Sequence, residues 1–269
     1  MKTLSRIYNA FVFTLLYFPI VMVIVFSFNS ARYTPMEWKE FSFKWYGLLF
    51  QNEEILSSLA VTLQVALIAT VFATLLGTLA AIGIHAMNGK MRSIMLTVNH
   101  FPMVNPEIVS GVAFMLLFVA LAATMPLFKP GFFTLCTAHI TFCTPYVVLQ
   151  IMPKLRQMNK HLYEAALDLG CTPFWAFVKV MIPEILPGIF TGALMAFTIS
   201  LDDFAISYFT SGSSAQTLPV TIYSMVKRPV TPEIYALSTL MFGTVLILLV
   251  LANIGQIRDL AKKKKKPAK

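Results

Sequence analysis

Long apolar blocks alternate with short polar connectors along this chain, at about residues 8–28, 57–84, 94–121, 132–152, 184–210 and 235–257. A helix needs about 20 apolar residues to cross the hydrocarbon of a bilayer, and every block reaches that length. The pattern predicts an all-α integral membrane protein with six transmembrane helices, forming a single domain over residues 1–269. The first block follows Lys2 and Arg6, as the core of a secretory leader would. Its apolar run is too long for a leader and no small-x-small cleavage pattern follows it, so it reads as a retained span.

Two blocks depart from a plain span. The third carries Pro102 and Pro106 within Phe101-Pro102-Met103-Val104-Asn105-Pro106-Glu107. Each proline removes a backbone donor and leaves carbonyls that need partners inside the protein. Either a broken helix lining a pathway or a simple kink satisfies that pattern. The fifth opens with Gly188-Ile189-Phe190-Thr191-Gly192, a small-xxx-small spacing that permits close helix approach.

Composition agrees with the blocks. Mean hydropathy is +0.73 and charged residues make up 12%, against about 25% in a soluble domain. The net charge of +9 sits in connectors and in the tail 258–269, which contains Lys262-Lys263-Lys264-Lys265-Lys266. No basic stripe interleaved with aromatics is present, which excludes nucleic acid as a partner. A lysine run beside a span is a topology signal and a contact for anionic membrane lipid. When connectors are assigned alternately to two sides, fifteen of the Lys and Arg residues share the side of both termini and six fall opposite. The positive-inside rule then puts both termini in the cytoplasm. Cys136, Cys143 and Cys171 lack metal-ligand spacing and read as buried small hydrophobes. His85, His100, His139 and His161 form no metal-binding pair. His139 lies among Thr137, Thr141 and Thr144 and reads as a helix-packing hydrogen-bonder.

The inner connector, about residues 153–183, reads as two short helices meeting at a corner. Tyr163-Glu164-Ala165-Ala166-Leu167-Asp168-Leu169 is rich in helix formers. Gly170 suits the left-handed position that closes a helix. Thr172 can cap a second helix with Pro173 at its first position. Phe174, Trp175 and Phe177 then form an apolar knob that wants a partner groove.

Glu164-Ala165-Ala166, then Gly170, then Val180, Ile182 and Pro183 resemble the EAA loop of the permeases of ATP-binding-cassette (ABC) importers. That resemblance implies a type I ABC importer permease fold in which Glu164, Ala165, Ala166, Asp168, Gly170 and Pro183 couple the spans to an ATPase subunit. Valine and isoleucine stand where isoleucine and leucine are commoner. The chain has no P-loop of its own, since Gly89-Lys90 is followed by Met91 and lacks the upstream glycine.

Three acids lie within or at the edge of the spans, namely Glu107, Asp202 and Asp203. An aspartate at mid-bilayer costs about 2.5–3.5 kcal/mol on insertion scales, and no Lys or Arg lies at matching depth. Neighbours on a helix point about 100° apart, so one aspartate can face a pathway while the other binds a neighbouring span. Phe204, Tyr208 and Phe209 follow in the same block, with Tyr223 beyond it. Carboxylates with aromatic faces suit a flexible di- or triammonium cargo. A structural role remains open, in which one aspartate caps or pins a kinked helix.

Further segments resemble the spermidine/putrescine permease family over nearly the whole chain. They are Phe26-Ser27-Phe28-Asn29-Ser30, Lys44-Trp45-Tyr46, His139-Ile140-Thr141-Phe142, Ser200-Leu201-Asp202-Asp203-Phe204, Ile222-Tyr223-Ser224-Met225-Val226-Lys227 and Pro232-Glu233-Ile234-Tyr235-Ala236-Leu237-Ser238-Thr239. The resemblance implies the second permease subunit of a polyamine importer in a bacterial cell membrane. Its implied partners are a homologous permease, two ATPase subunits that hold ATP and magnesium, and an extracellular polyamine-binding protein. The chain itself would carry no cofactor, metal or catalytic residue. The rivals are a permease for another small solute, a channel, and an intramembrane enzyme.

Overall fold

The computed structural model describes residues 2–31, 37–227, 232–244 and 246–247. Among the described residues the apolar blocks are helical apart from breaks at 105–106 and 203–204, because only internally hydrogen-bonded backbone is tolerated in hydrocarbon. Four helices among the described residues are long and apolar enough to cross a membrane. A bent pair supplies a fifth candidate, and helical residues 233–244 and 246–247 begin the sixth block. The rest of that block (248–257), the basic tail 258–269, and Arg32 and Arg228 lie outside the described residues.

The chain divides into two compact units, 1–57 with 221–269, and 58–220. In the first, helix α1 runs Lys2–Ser27, and its apolar stretch Arg6–Ser27 is almost wholly unburied. Its end is tied to helix α2 (Lys44–Leu49), where Trp45 Nε1 donates to the Asn29 carbonyl at 2.7 Å. Ser27 and Tyr46 share a hydrogen bond of 2.7 Å, so two of the segments carrying the family resemblance meet in space. Phe26 also packs edge-on against Tyr235, with ring centroids 6.1 Å apart.

The second unit is built on helix α3 (Glu53–Ala86), which enters it at Ser58, and helix α6 (Phe132–Gln157). At 1.5 Å per residue α3 is about 51 Å long, beyond the ~30 Å hydrocarbon thickness. Between them lie helices α4 (Gly89–Val104) and α5 (Glu107–Ala122), bent by 99° at their junction. The expected single span 94–121 is thus two helices, each about 24 Å long by the same rise. Pro106 makes the break, because a proline disfavours helical geometry in the residue before it. Asn105 is accordingly extended, with ψ 138°. Pro102 sits inside α4 without ending it.

Helix α7 (Lys160–Asp168) and the short helix α8 (Pro173–Ala176) form the inner corner, followed by a π-helical turn at Phe177–Met181 and helix α9 (Ile182–Asp202). The second helix of the corner is therefore not separate: residues Pro173–Asp202 run on as one membrane-length helix. Pro183 has no N–H to give the carbonyl four residues back, and the wide turn sits at that missing bond. The fifth span ends at Asp202 rather than continuing to 210. Helix α10 (Ala205–Thr210) restarts beyond it, and helix α11 (Leu218–Val226) crosses from the second unit into the first.

Glycines set how closely these helices approach. A methyl group at Gly188 would meet Lys154 Cγ at 2.9 Å and Ile151 Cα at 3.3 Å, and one at Gly192 would meet Val147 Cγ1 at 3.1 Å. The small-xxx-small pair is thus the face by which α9 lies on α6, around a buried core of Cys143, Val147, Ile151, Ile185 and Ala196. Gly77 of α3 meets α6 from another side, where an added carbon would stand 2.7 Å from Val147 Cβ. Gly83, by contrast, has open space around it. We expect Gly77→Leu to destabilise the protein by about 1–3 kcal/mol through overpacking, and Gly83→Leu to be tolerated. Thermal aggregation midpoints in detergent check both, and equal midpoints for the two variants would contradict this packing.

Candidate functional site

The inner corner is assembled by local hydrogen bonds. Gly170 takes φ +85°, which a side chain would make costly. The Cys171 N–H reaches the Ala166 carbonyl at 3.0 Å and the Gly170 N–H reaches the Leu167 carbonyl at 2.9 Å. Those two bonds are a Schellman closure, and they use up carbonyls that the end of α7 would otherwise leave open. Asn159, rather than a residue singled out in the sequence, caps the start of α7 by accepting the His161 N–H at 3.0 Å. Thr172 does not cap with its side chain. Its carbonyl accepts the Ala176 N–H at 2.9 Å, with Pro173 at the first position as expected.

Glu164, Ala165 and Asp168 are exposed while Ala166 is buried, so α7 shows an acidic stripe at four-residue spacing and hides its second alanine. His161 lies 3.2 Å from Glu164 in the same helix. Beside the stripe, Leu169 is 87%, Phe174 67% and Trp175 50% exposed. Phe177 is only partly exposed and Pro183 is exposed. Lys179 Nζ stands 4.9 Å over the Trp175 ring. The corner therefore presents an apolar knob flanked by carboxylates, to which Leu169 contributes as much as the aromatics.

The second cluster surrounds the end of α9. Asp202 is exposed and Asp203 buried, so the two neighbours have parted company. The Asp203 carboxylate accepts the N–H of Ser207 at 2.7 Å and of Ile206 at 3.3 Å. It thereby caps α10, taking donors that would have pointed at the last carbonyls of a continuous helix. His139 of α6 is buried beside it, with Nε2 3.5 Å from Asp203 Oδ2. Its two ring nitrogens lie 2.7 Å from Ser200 Oγ and 3.0 Å from Ser207 Oγ.

Glu107, the first residue of α5, lies within electrostatic reach of both Asp203 and Asp202, and the Tyr146 hydroxyl within reach of Glu107. Helix α10 lies against α5 at Gly111, where an added carbon would meet the Ala205 carbonyl at 3.0 Å. The exposed Tyr208 packs on Phe204 and Phe209, with centroids 5.5 and 5.3 Å apart. Tyr223 belongs to the other unit, with Lys227 Nζ 4.4 Å over its ring. Among the described residues no Lys or Arg pairs with Asp202, Asp203 or Glu107.

Histidine, aspartate and serine together invite a hydrolytic reading, which the geometry does not favour. A triad needs the acid on one ring nitrogen and a reachable nucleophile on the other; Ser207 shares Nε2 with Asp203, and Ser200, on Nδ1, is buried. Ser200 and Ser207 are 3% and 0% exposed, beyond a substrate's reach. Among the described residues no three His, Cys, Asp or Glu side chains are grouped to hold a metal. His139 is a helix-packing hydrogen-bonder as the sequence suggested, but its partners Ser200, Ser207 and Asp203 were not foreseen. The signal available was a polar run at 137–144 and serines bracketing Asp203.

Residues 73–257 match the family model of the binding-protein-dependent transport system inner membrane component. The putrescine transport system permease protein PotI of Escherichia coli strain K12 is 40% identical over 240 residues, covering 87% of this chain and 83% of the relative. The spermidine/putrescine transport system permease protein PotC of Haemophilus influenzae is 37% identical over 249 residues, covering 91% and 95%. A solved bacterial ABC transporter involved in the import of the acidic polysaccharide alginate aligns with TM-score 0.73 at 16% identity, over 98% of this chain and 96% of that one. That last likeness speaks for the fold alone.

Loss of the Asp203 cap has a measurable cost. Asp203→Ala should destabilise by about 0.5–2 kcal/mol, and Asp203→Asn, which keeps an acceptor, by much less. Thermal aggregation in detergent reads the difference, and equal losses for both variants would contradict the cap.

Proposed function

This chain belongs to the family of inner membrane components of binding-protein-dependent transport systems, and from that premise we propose that it is the permease subunit through which polyamines enter the cell. The observation that carries the cargo class is that Glu107 and Asp202 lie within electrostatic reach of one another near the α9–α10 break, with no cationic side chain paired to either among the described residues. The relatives' names point to the same cargo. A di- or triammonium ion supplies the missing positive charge, and Tyr208 and Tyr146 offer it aromatic faces. Asp203, spent on the cap, acts on the cation at one remove. Contact is transient, since a tight site would stall release.

The working complex in this proposal holds a second, homologous permease, two ATPase subunits carrying ATP and magnesium, and an external binding protein that delivers the polyamine. Both termini face the cytoplasm. The knob and acidic stripe of the inner corner dock on an ATPase subunit, and its closure on ATP moves Glu164–Gly170 and rocks the spans to open outward. Release of the products of hydrolysis returns the pathway to the cytoplasm. The exposure of Leu169, Phe174 and Trp175 supports this docking.

ATP-dependent uptake of labelled spermidine into vesicles holding the complex, with and without this chain, tests the cargo. Uptake that requires the chain, and that putrescine inhibits while sulfate does not, is expected. No uptake by an intact, ATP-hydrolysing complex would reopen the cargo. Asp202→Asn should lower uptake about ten-fold, the scale of one lost charge-assisted contact, with assembly intact. For coupling, Gly170→Val forces a β-branched residue into a left-handed conformation. It should leave the ATPase unresponsive to the loaded binding protein, and Glu164→Lys should weaken docking. Undiminished transport-linked hydrolysis in both variants would count against the coupling role.

A further inference from the structure

One side chain of α6 holds both sides of the α9–α10 break. His139 is 1% exposed. Its Nδ1 meets Ser200, on α9 before the break, at 2.7 Å. Its Nε2 meets Ser207, on α10 after the break, at 3.0 Å. The same nitrogen stands 3.5 Å from the Asp203 carboxylate that caps α10. A neutral imidazole offers one donor and one acceptor, and a hydroxyl can complement either. The ring is therefore satisfied from both sides with no help from solvent. The far end of α10 is tied to the same helix, since Thr134 Oγ1 donates to the Thr210 carbonyl at 3.0 Å.

A buried polar network of this kind is expensive to build within a membrane-spanning region unless every member is paired. A continuous helix with apolar residues at 139, 200 and 207 would need none of it. What the network achieves is geometric. It stops α9 with Asp202 exposed at its last turn, and turns α10 so that Ala205 and Phe209 lie against Gly111 of α5. Helix α5 is the one that begins with Glu107.

We infer that His139 is a positioning residue of the transport path, stapling the α9–α10 break so that Asp202 and Glu107 converge on the passing cation. The inference rests on the reading of those two acids as cation contacts. His139 touches no cargo itself. Its substitution acts through the acids, and its effect therefore vanishes once Asp202 has already been neutralised.

The test is a double-mutant cycle on ATP-driven uptake of labelled spermidine, in proteoliposomes of the assembled complex, normalised to complex present. His139→Leu should lower uptake about ten-fold, within the range of coupling energies between neighbouring groups. His139→Gln, whose amide keeps one donor and one acceptor, should recover it to within about three-fold of the parent. In the Asp202→Asn background, His139→Leu should cost less than about two-fold more. Should His139→Leu fail to assemble, Ser200→Ala removes one arm of the staple and enters the same cycle. Fully additive losses, or no recovery with glutamine, overturn the positioning role while Asp202→Asn retains its own effect. Unchanged uptake in both Asp202→Asn and Glu107→Gln instead overturns the cation-contact reading, and the inference falls with it.

Discussion

In hydrocarbon a helix can stop only where other groups take up the hydrogen bonds that its next turn would have made. At the end of α9 those groups are the Asp203 carboxylate, which captures two backbone N–H groups of α10, and the His139 ring, which bridges serines on either side. Much else in the second unit follows from that exchange. The fifth span is shortened, Asp202 is left exposed, and a six-residue helix is free to pack on α5. The second break, at Asn105-Pro106, is made differently: proline withholds a donor there, and no side chain competes for it. Between them the two breaks bring Glu107 and Asp202 within electrostatic reach of one another.

The inner corner obeys a different economy. It is held by a left-handed glycine, a two-bond closure and a proline at a helix start, all within 164–183. Its apolar residues are held outward because the short helices have no room to bury them. Continuity from Pro173 to Asp202 joins this corner to the acid cluster at the other end of α9.

Much of this was legible in the residues. The corner was the clearest case, since Gly170 and Pro173 act on their own backbone and need no distant partner. The Gly188–Gly192 spacing also announced a helix contact, although not that Ile151 and Val147 of α6 would fill it. The site at Asp202 and Asp203 was only half legible. Adjacent acids on a helix must point apart, but which one turns inward depends on where the helix ends. The cap that ends it is made by Asp203 itself. His139 stood among threonines and read as a packing hydrogen-bonder, with its partners sixty-one and sixty-eight residues away.

By itself the sequence determined the solvent, the helical character of the apolar blocks and the turn chemistry of the inner corner. These depend on composition and on interactions within a few residues, which a linear reading contains. Tertiary structure alone decided that the third block bends by 99°, that the second helix of the corner merges with the fifth span, and that Asp203 rather than Asp202 is buried. The burial of Asp203 goes with the close approach of α9 and α10 to α6 and α5 at Gly192, Gly188 and Gly111. The direction in which a buried side chain finds its partner is a property of that approach, and no local pattern encodes it.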